Sequence, residues 1–131
     1  MKIKPYLTFN GNAEEAANHY AQILGGKIEN LTRYCDCMPE VAEQDRNKIA
    51  HLCLMVGQET IGIADACCTP TTFGTGNIIT INCDTEAQIK DIYEKLSVDG
   101  TIGFQLQPTF FAKQYADFVD VYGVAWALII E

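Results

Sequence analysis

Apolar residues recur at Ala13, Ala16, Ala17, Tyr20, Ile23 and Leu24, a three-and-four spacing that puts them on one face of a helix. Thr8 and Phe9 lead into this run as the end of a short strand. Asn12 is placed to accept the first free backbone N–H groups, and Glu14 and Glu15 complement the positive end of the helix. Gly25-Gly26 closes it, because glycine takes the left-handed closing conformation without penalty. Strand-like runs follow at Lys27 to Tyr34, Ile49 to Val56 and Thr60 to Asp65, with a polar loop from Met38 to Lys48 and a turn at Gly57-Gln58.

The pattern then begins again. At an offset of 73 residues, Phe9 falls on Asn82, Asn12 on Thr85, Ala16 on Ile89, Tyr20 on Tyr93 and Ile23 on Leu96. Ile78 to Cys83 reads as a strand, Thr85 with Gln88 as a capping box, and Ile89, Ile92, Tyr93 and Leu96 as an apolar helix face. Strands are expected at Thr101 to Gln107, Tyr115 to Val121 and Val124 to Ile130; Pro108 breaks the first and Tyr122-Gly123 turns the last corner. Residue identity between the copies is low, so the repeat lies in pattern more than in letters. Each half reads β-α-β-β-β, with module one at about 1–73 and module two at about 74–131 of a single domain 1–131.

A curved four-stranded sheet with a helix on one side still has an apolar concave face to cover. The fold class expected is therefore α+β, two tandem βαβββ modules forming a curved mixed sheet around a cleft. The last run, Val124 to Ile130, is apolar without alternation, the pattern of a strand buried on both faces. In so small a chain that points to a homodimer.

Composition narrows the function classes. The 131 residues fit one domain, and 48% hydrophobic with 20% charged residues is ordinary soluble composition. No stretch approaches the roughly 18 apolar residues of a membrane span. Met1 to Pro5 lacks the apolar core of a signal peptide, so a cytoplasmic location is expected. Nine basic residues against 17 acidic ones give a net charge of −8, and no two basic residues are adjacent. Nucleic acid and anionic membrane are poor partners for such a surface. Cys35-x-Cys37, Cys53, Cys67-Cys68 and Cys83 match no zinc-ribbon or C-x-x-C spacing and read as free thiols.

Three segments carry a family resemblance. They are Pro5 to Ala16 with Tyr20, the run Arg33 to Pro39, and Gln107 to Tyr115 continuing through Asp120 to Trp126. Together they resemble the PhnB-like branch of the glyoxalase/bleomycin-resistance/extradiol-dioxygenase superfamily, also called vicinal oxygen chelate. Within the last segment the branch usually has an acidic residue at Pro108, tryptophan at Phe111 and glycine at Ala116. The superfamily hosts lyases, epimerases, dioxygenases, transferases and plain binding proteins, so the resemblance specifies fold and not reaction. Its metal-dependent members take His, Gln or Glu ligands from the first strand of each half and from the final strand. Those positions fall on Pro5, on Asn77 (Ile78 if the register slips) and near Ala127. Proline and alanine offer no side-chain donor, and a one-residue slip to Lys4, Tyr6, Trp126 or Leu128 supplies none of these ligands. The resemblance thus implies neither a metal nor another cofactor for this chain.

Other residues offer candidate chemistry. His51 stands at the start of an inward-facing strand, where a histidine suits proton transfer or else hydrogen-bonds at a strand edge. Arg33 suits an anionic ligand held bidentately, or a pairing with a nearby carboxylate. Asp65 faces the cleft or caps a loop. Phe110, Phe111, Tyr115 and Trp126 wall an apolar pocket or form core. Cys35 and Cys37 share a face if extended, as do His51 and Cys53, and sulfur with imidazole suits a soft metal; Cys53 also suits a small core position. The leading expectation is a homodimeric small-molecule-binding protein without the usual divalent metal. Its alternative is a metal-dependent lyase or dioxygenase. A methyltransferase reading lacks support, since Gly74-Thr75-Gly76 precedes a strand and not a helix.

Overall fold

The computed structural model describes residues 1–131. Strand β1 (Tyr6–Phe9) leads to helix α1 (Ala13–Leu24), then β2 (Lys27–Arg33), a helical turn α2 (Tyr34–Cys37), β3 (Ile49–Val56) and β4 (Glu59–Asp65). The second half runs β5 (Ile79–Asn82), α3 (Glu86–Leu96), β6 (Thr101–Gln107), β7 (Gln114–Val119) and β8 (Ala125–Ile130). The strands form two four-stranded sheets, ordered β1-β4-β3-β2 and β5-β8-β7-β6. In each, the first strand lies parallel to the last and the remaining pairs are antiparallel. The chain divides into two compact units, Met1–Thr72 and Phe73–Glu131, and the repeated β-α-β-β-β order expected from periodicity is present in both. No helix is long and apolar enough to cross a membrane.

Alternation sets what each strand buries. Leu7 and Phe9 of β1, Leu52 and Leu54 of β3, and Ile61 and Ile63 of β4 are all buried, as are Ala13, Ala16, Ala17 and Tyr20 of α1. The alanines let the helix come close to the sheet, and each fully buried Leu, Ile or Phe contributes about 1.5–3 kcal/mol relative to exposure. In module two, Ile89, Ile92 and Leu96 of α3 are buried, while Tyr93 is half-buried and meets Phe118 edge-on at 6.1 Å. The offset of 73 fails in the first strands, where it sets buried Phe9 against exposed Asn82. The half-buried positions of β5 are Ile79 and Ile81, one residue out of step.

Helix α1 is not capped by Asn12, whose side chain makes no cap hydrogen bond. Asp65, at the end of β4, replaces it. Its Oδ1 accepts from Gly11 N (2.9 Å) and Ala13 N (3.0 Å), and its Oδ2 accepts from Ile49 N (2.9 Å). The Phe9–Asp65 pairing across β1 and β4 brings that carboxylate to the helix start. Thr85 does cap α3, accepting from Gln88 N at 3.1 Å; the Gln88 side chain returns to Asp84 N, one residue ahead of the box position.

The expected strand Lys27 to Tyr34 stops at Arg33. Tyr34 N and Cys35 N donate to Lys48 O and Arg46 O, and Asp36 Oδ2 accepts from Arg33 N, so Tyr34–Cys37 coils into a helical turn. Cys35 and Cys37 therefore do not share an extended face. Strand β7 ends at Val119, short of the expected Val121, because the Asp120 side chain turns the chain by accepting from Tyr122 N and Val124 N. Strand β8 sits inside its sheet between β5 and β7, and Trp126, Ala127 and Leu128 are buried within the single chain. Its apolar run is explained without a second subunit.

Candidate functional site

With α1 covering one face of the module-one sheet, the residues that alternate with Leu52, Leu54, Ile61 and Ile63 point the other way, and Cys53, Gly62 and Ala64 among them are buried as well. Tyr6 on β1 and Cys53 on β3 both pair with Gly62 on β4, and Glu29 on β2 pairs with Cys53. Directly opposed residues share a face, so this row crosses the whole sheet, with His51 two residues from Cys53 on the same side. Gly62 makes the row possible. A Cβ there would stand 2.4 Å from Tyr6 Cδ2 and 2.6 Å from Cε2, so only glycine lets the phenol lie across β4.

The ring lies nearly parallel to the His51 imidazole (23° between planes, centroids 5.7 Å apart), with Tyr6 Oη 2.8 Å from Nδ1. On the other side, His51 Nε2 is 3.4 Å from Cys53 Sγ. A phenol, an imidazole and a thiol thus form a continuous relay. Tyr6 is 48% exposed, His51 half-buried and Cys53 9% exposed, so the relay runs from solvent to a shielded sulfur. Partial burial, and next the proximity of the Cys53 sulfur, push the Tyr6 phenol above its ordinary range. Tyr6 therefore stays protonated at neutral pH and serves as a neutral donor or acceptor. A neutral imidazole holds one N–H and one lone pair, so a proton taken from Cys53 at Nε2 leaves both N–H groups donating, one to sulfur and one to the Tyr6 oxygen.

The other candidates divide. His51 is brought together with Tyr6 and Cys53, of which the first was absent from the sequence-based candidates and the second was weighed as a soft-metal or core cysteine. Arg33 is held in a bidentate pair with Glu14 (3.1 and 2.9 Å) and donates to Asn47 O at 2.9 Å. The hydrogen bond from Arg33 lowers the Glu14 carboxyl below the usual range, and the pair ties α1 to the end of β2. Asp65 is committed to three backbone amides. Trp126 is fully buried, its indole N–H donating to Asp120 Oδ2 at 2.8 Å, and it pairs with Phe118 on the side that meets α3. It is core of module two.

Phe110, Phe111 and Tyr115 do form one cluster, Phe111 lying 5.2 Å from Phe110 and 5.1 Å from Tyr115, and Phe104 joins it at 5.7 Å from Tyr115. The three phenylalanines are exposed, Phe110 completely. Tyr115 Oη donates to Asp117 Oδ2 at 3.0 Å; burial, then that bond, raises its phenol. Phe104 was missed because an aromatic on an exposed edge strand carries no distinctive spacing.

No group of three or more His, Cys, Asp or Glu side chains is placed to hold a metal ion. His51 and Cys53 supply two donors, and Pro5, Asn77 and buried Ala127 add none of the expected ligands. The residues present do not fit a resident divalent metal. A separate surface depression of about 570 Å³ lies beside the polar loop, lined by residues including Met38, Val41, Asp45, Cys67 and Cys68. The Cys67 thiol there is raised by its hydrogen bond with Cys68 and next by burial.

Comparison with known proteins places the chain in a family. Residues 1–129 match the family described as 3-demethylubiquinone-9 3-methyltransferase. The crystal structure of protein PA1353 from Pseudomonas aeruginosa is similar over 100% of this chain and 98% of its own, at 36% identity and a TM-score of 0.91. A PhnB protein from Bacillus cereus, described as a 3-demethylubiquinone-9 3-methyltransferase, is similar over the full length of both chains at 28% identity and a TM-score of 0.86. A glyoxylase/bleomycin resistance protein/dioxygenase domain from Frankia sp. shares the fold, at 12% identity and a TM-score of 0.71 over 99% of this chain and 96% of its own.

Proposed function

We propose that this chain, which belongs to the 3-demethylubiquinone-9 3-methyltransferase family in the PhnB-like branch of the glyoxalase/bleomycin-resistance superfamily, is a small-molecule-binding protein that works without a divalent metal. The observation that carries this reading is the helix-free face of module one. There Tyr6, His51 and Cys53 hydrogen-bond in series beside Gly62, on the sheet face that α1 does not cover. A phenol and an imidazole recognise a carbonyl, phenol or similar neutral polar group, and the half-exposed Tyr6 ring, laid over Gly62 and stacked with His51, offers a flat aromatic surface beside it. The ligand class is therefore a small planar aromatic or amphipathic compound.

Methyl transfer, the activity in the family's description, calls for a cradle for the methyl donor. Gly74 and Gly76 lie in the loop before β5 and not between a strand and a helix N-terminus, which supports binding over that chemistry. The lyase or dioxygenase reading is not favoured, because the metal ligands it requires are missing.

Two further proposals accompany this one. The edge strand β6 exposes Ile102 and Phe104, which supports a homodimer through that region. All six cysteines are free, which supports a reducing, cytoplasmic setting. The binding reading is tested by a protein-observed NMR screen with a library of small phenols, aromatic ketones and quinones. Amide shifts confined to β1, β3 and β4 and weakened by His51→Gln are expected. Hits that scatter, or that cluster at the Met38–Cys67 depression, would overturn it.

A further inference from the structure

Six thiols are present, and their surroundings differ. Cys35 lies 3.8 Å from the Asp36 carboxylate, and Cys37 faces the Arg33 and Tyr34 carbonyls. Burial pushes Cys83 up to about 11, and it faces the Ile81 carbonyl. The Cys67 and Cys68 thiols are hydrogen-bonded to each other. The partners here are carbonyls, a carboxylate and a second thiol, all weaker bases than an imidazole. Cys53 is the thiol whose hydrogen bond runs to a ring nitrogen, His51 Nε2.

That contact is built into the sheet. His51 and Cys53 are two residues apart on β3, an inner strand between β4 and β2, and Leu52 and Leu54 anchor its opposite face, both fully buried. Strand geometry therefore sets the imidazole and the sulfur side by side, and the Tyr6 hydroxyl at 2.8 Å fixes the plane of the imidazole. A thiol, a base and a group that orients the base are the parts of an activated nucleophile.

We propose that Cys53 is a nucleophile for soft, planar electrophiles of the α,β-unsaturated carbonyl class, with His51 as its base and Tyr6 as the donor to the carbonyl oxygen. This rests on the binding face proposed above and adds a covalent step to it. His51 Nε2 takes the Sγ proton, and the sulfur electron pair forms the S–C bond at the β-carbon. The C=C π pair moves toward the carbonyl as an enolate. The imidazolium then returns a proton to the α-carbon, leaving a thioether and neutral His51. No oxidant or other co-reactant enters. In the charged intermediate Nδ1–H donates to the Tyr6 oxygen, which frees the phenol hydrogen for the enolate oxygen. Cys53 is only 9% exposed and the Tyr6 ring lies over the neighbouring Gly62, so the approach to the sulfur favours a slim planar enone over a bulky tetrahedral electrophile.

The test uses N-ethylmaleimide on the whole chain. Brief labelling at limiting reagent is followed by peptide mass spectrometry, giving a rate for each cysteine. A positioned base contributes roughly 10²–10⁴-fold to such a proton transfer, and shielding of a 9% exposed thiol takes part of that back. Cys53 is therefore expected to label about tenfold faster than the exposed Cys37 and Cys68. His51→Gln should lower the Cys53 rate about tenfold and leave the other five unchanged, and Tyr6→Phe should lower it severalfold. Cys53 labelling more slowly than the exposed thiols, or a rate indifferent to His51→Gln, would overturn the proposal. If His51→Gln unfolds the chain, the buried Cys83 accelerates as well, and Tyr6→Phe then decides: an unchanged Cys53 rate overturns the proposal. A protein that binds the NMR library but does not label at Cys53 loses the covalent step and keeps the binding face. One that does neither loses both.

Discussion

Replacing Gly62 by alanine separates the folding role of β4 from its role in the site. The added Cβ would meet Tyr6 Cδ2 at 2.4 Å and Cε2 at 2.6 Å, and Cγ at 3.3 Å. These are the near atoms of the ring, so rotating its tip is not enough and the whole side chain must swing away from β4. That swing breaks the 2.8 Å bond to His51 Nδ1, whose net contribution is about 0.5–1.5 kcal/mol. Alanine in a strand recovers about 0.5–1 kcal/mol of the entropy that glycine loses on folding, and Gly62 needs no left-handed backbone. The two effects nearly cancel, so the urea midpoint should correspond to a change within about 1 kcal/mol. The site, by contrast, should lose Tyr6. Gly62→Ala is expected to lower the Cys53 labelling rate as far as Tyr6→Phe does, and the double variant no further. Additive losses in the double variant, or a labelling rate equal to that of the unaltered chain, would refute the claim that Gly62 acts by seating Tyr6.

Asp65→Ala removes the acceptor for three backbone N–H groups, two of them buried contacts, and should destabilise by more than about 3 kcal/mol in urea unfolding; a loss below about 1 kcal/mol would show that α1 is held otherwise. Arg33→Ala breaks an ion pair whose side chains are 32% and 43% exposed, so solvent screening limits the loss to about 1 kcal/mol or less, with no change in ligand shifts on the β1–β4–β3 face. Because Arg33 depresses the folded-state Glu14 carboxyl, the pair's contribution is present above the unfolded carboxylate range and is lost as pH falls through the lowered value. The stability gap between Arg33→Ala and the unaltered chain should therefore close on acidification.

Much of the fold was legible because it rests on local pattern. The helix faces of α1 and α3 and the β-α-β-β-β order follow from periodicity, and Gly25, with φ of 69°, closes α1 as its place in the chain implies. What failed depends on partners far along the chain. Asp65 caps a helix that starts 52 residues earlier, and nothing near Asn12 foretells it. The turn at Tyr34–Cys37 is drawn out of the strand by the Arg46 and Lys48 carbonyls. Tyr6 and His51 are 45 residues apart and meet because β1 lies parallel to β4, beside β3. A signal for that meeting did exist. Gly62 interrupts Ile61 and Ile63 in a strand, and a mid-strand glycine marks a close approach by another group. For Trp126 the sequence left ligand wall and core both open, and its place opposite Phe118 makes it core.

The central claim is that the Tyr6–His51–Cys53 face binds its ligand with no divalent metal. The direct measurement is an NMR titration of the whole chain with the best library hit, run in excess EDTA and again with added Mn²⁺-free Zn²⁺ or Mg²⁺. The account predicts the same saturable shifts on β1, β3 and β4 and the same Kd under all conditions. Binding that disappears in EDTA and returns with the metal ion would contradict it.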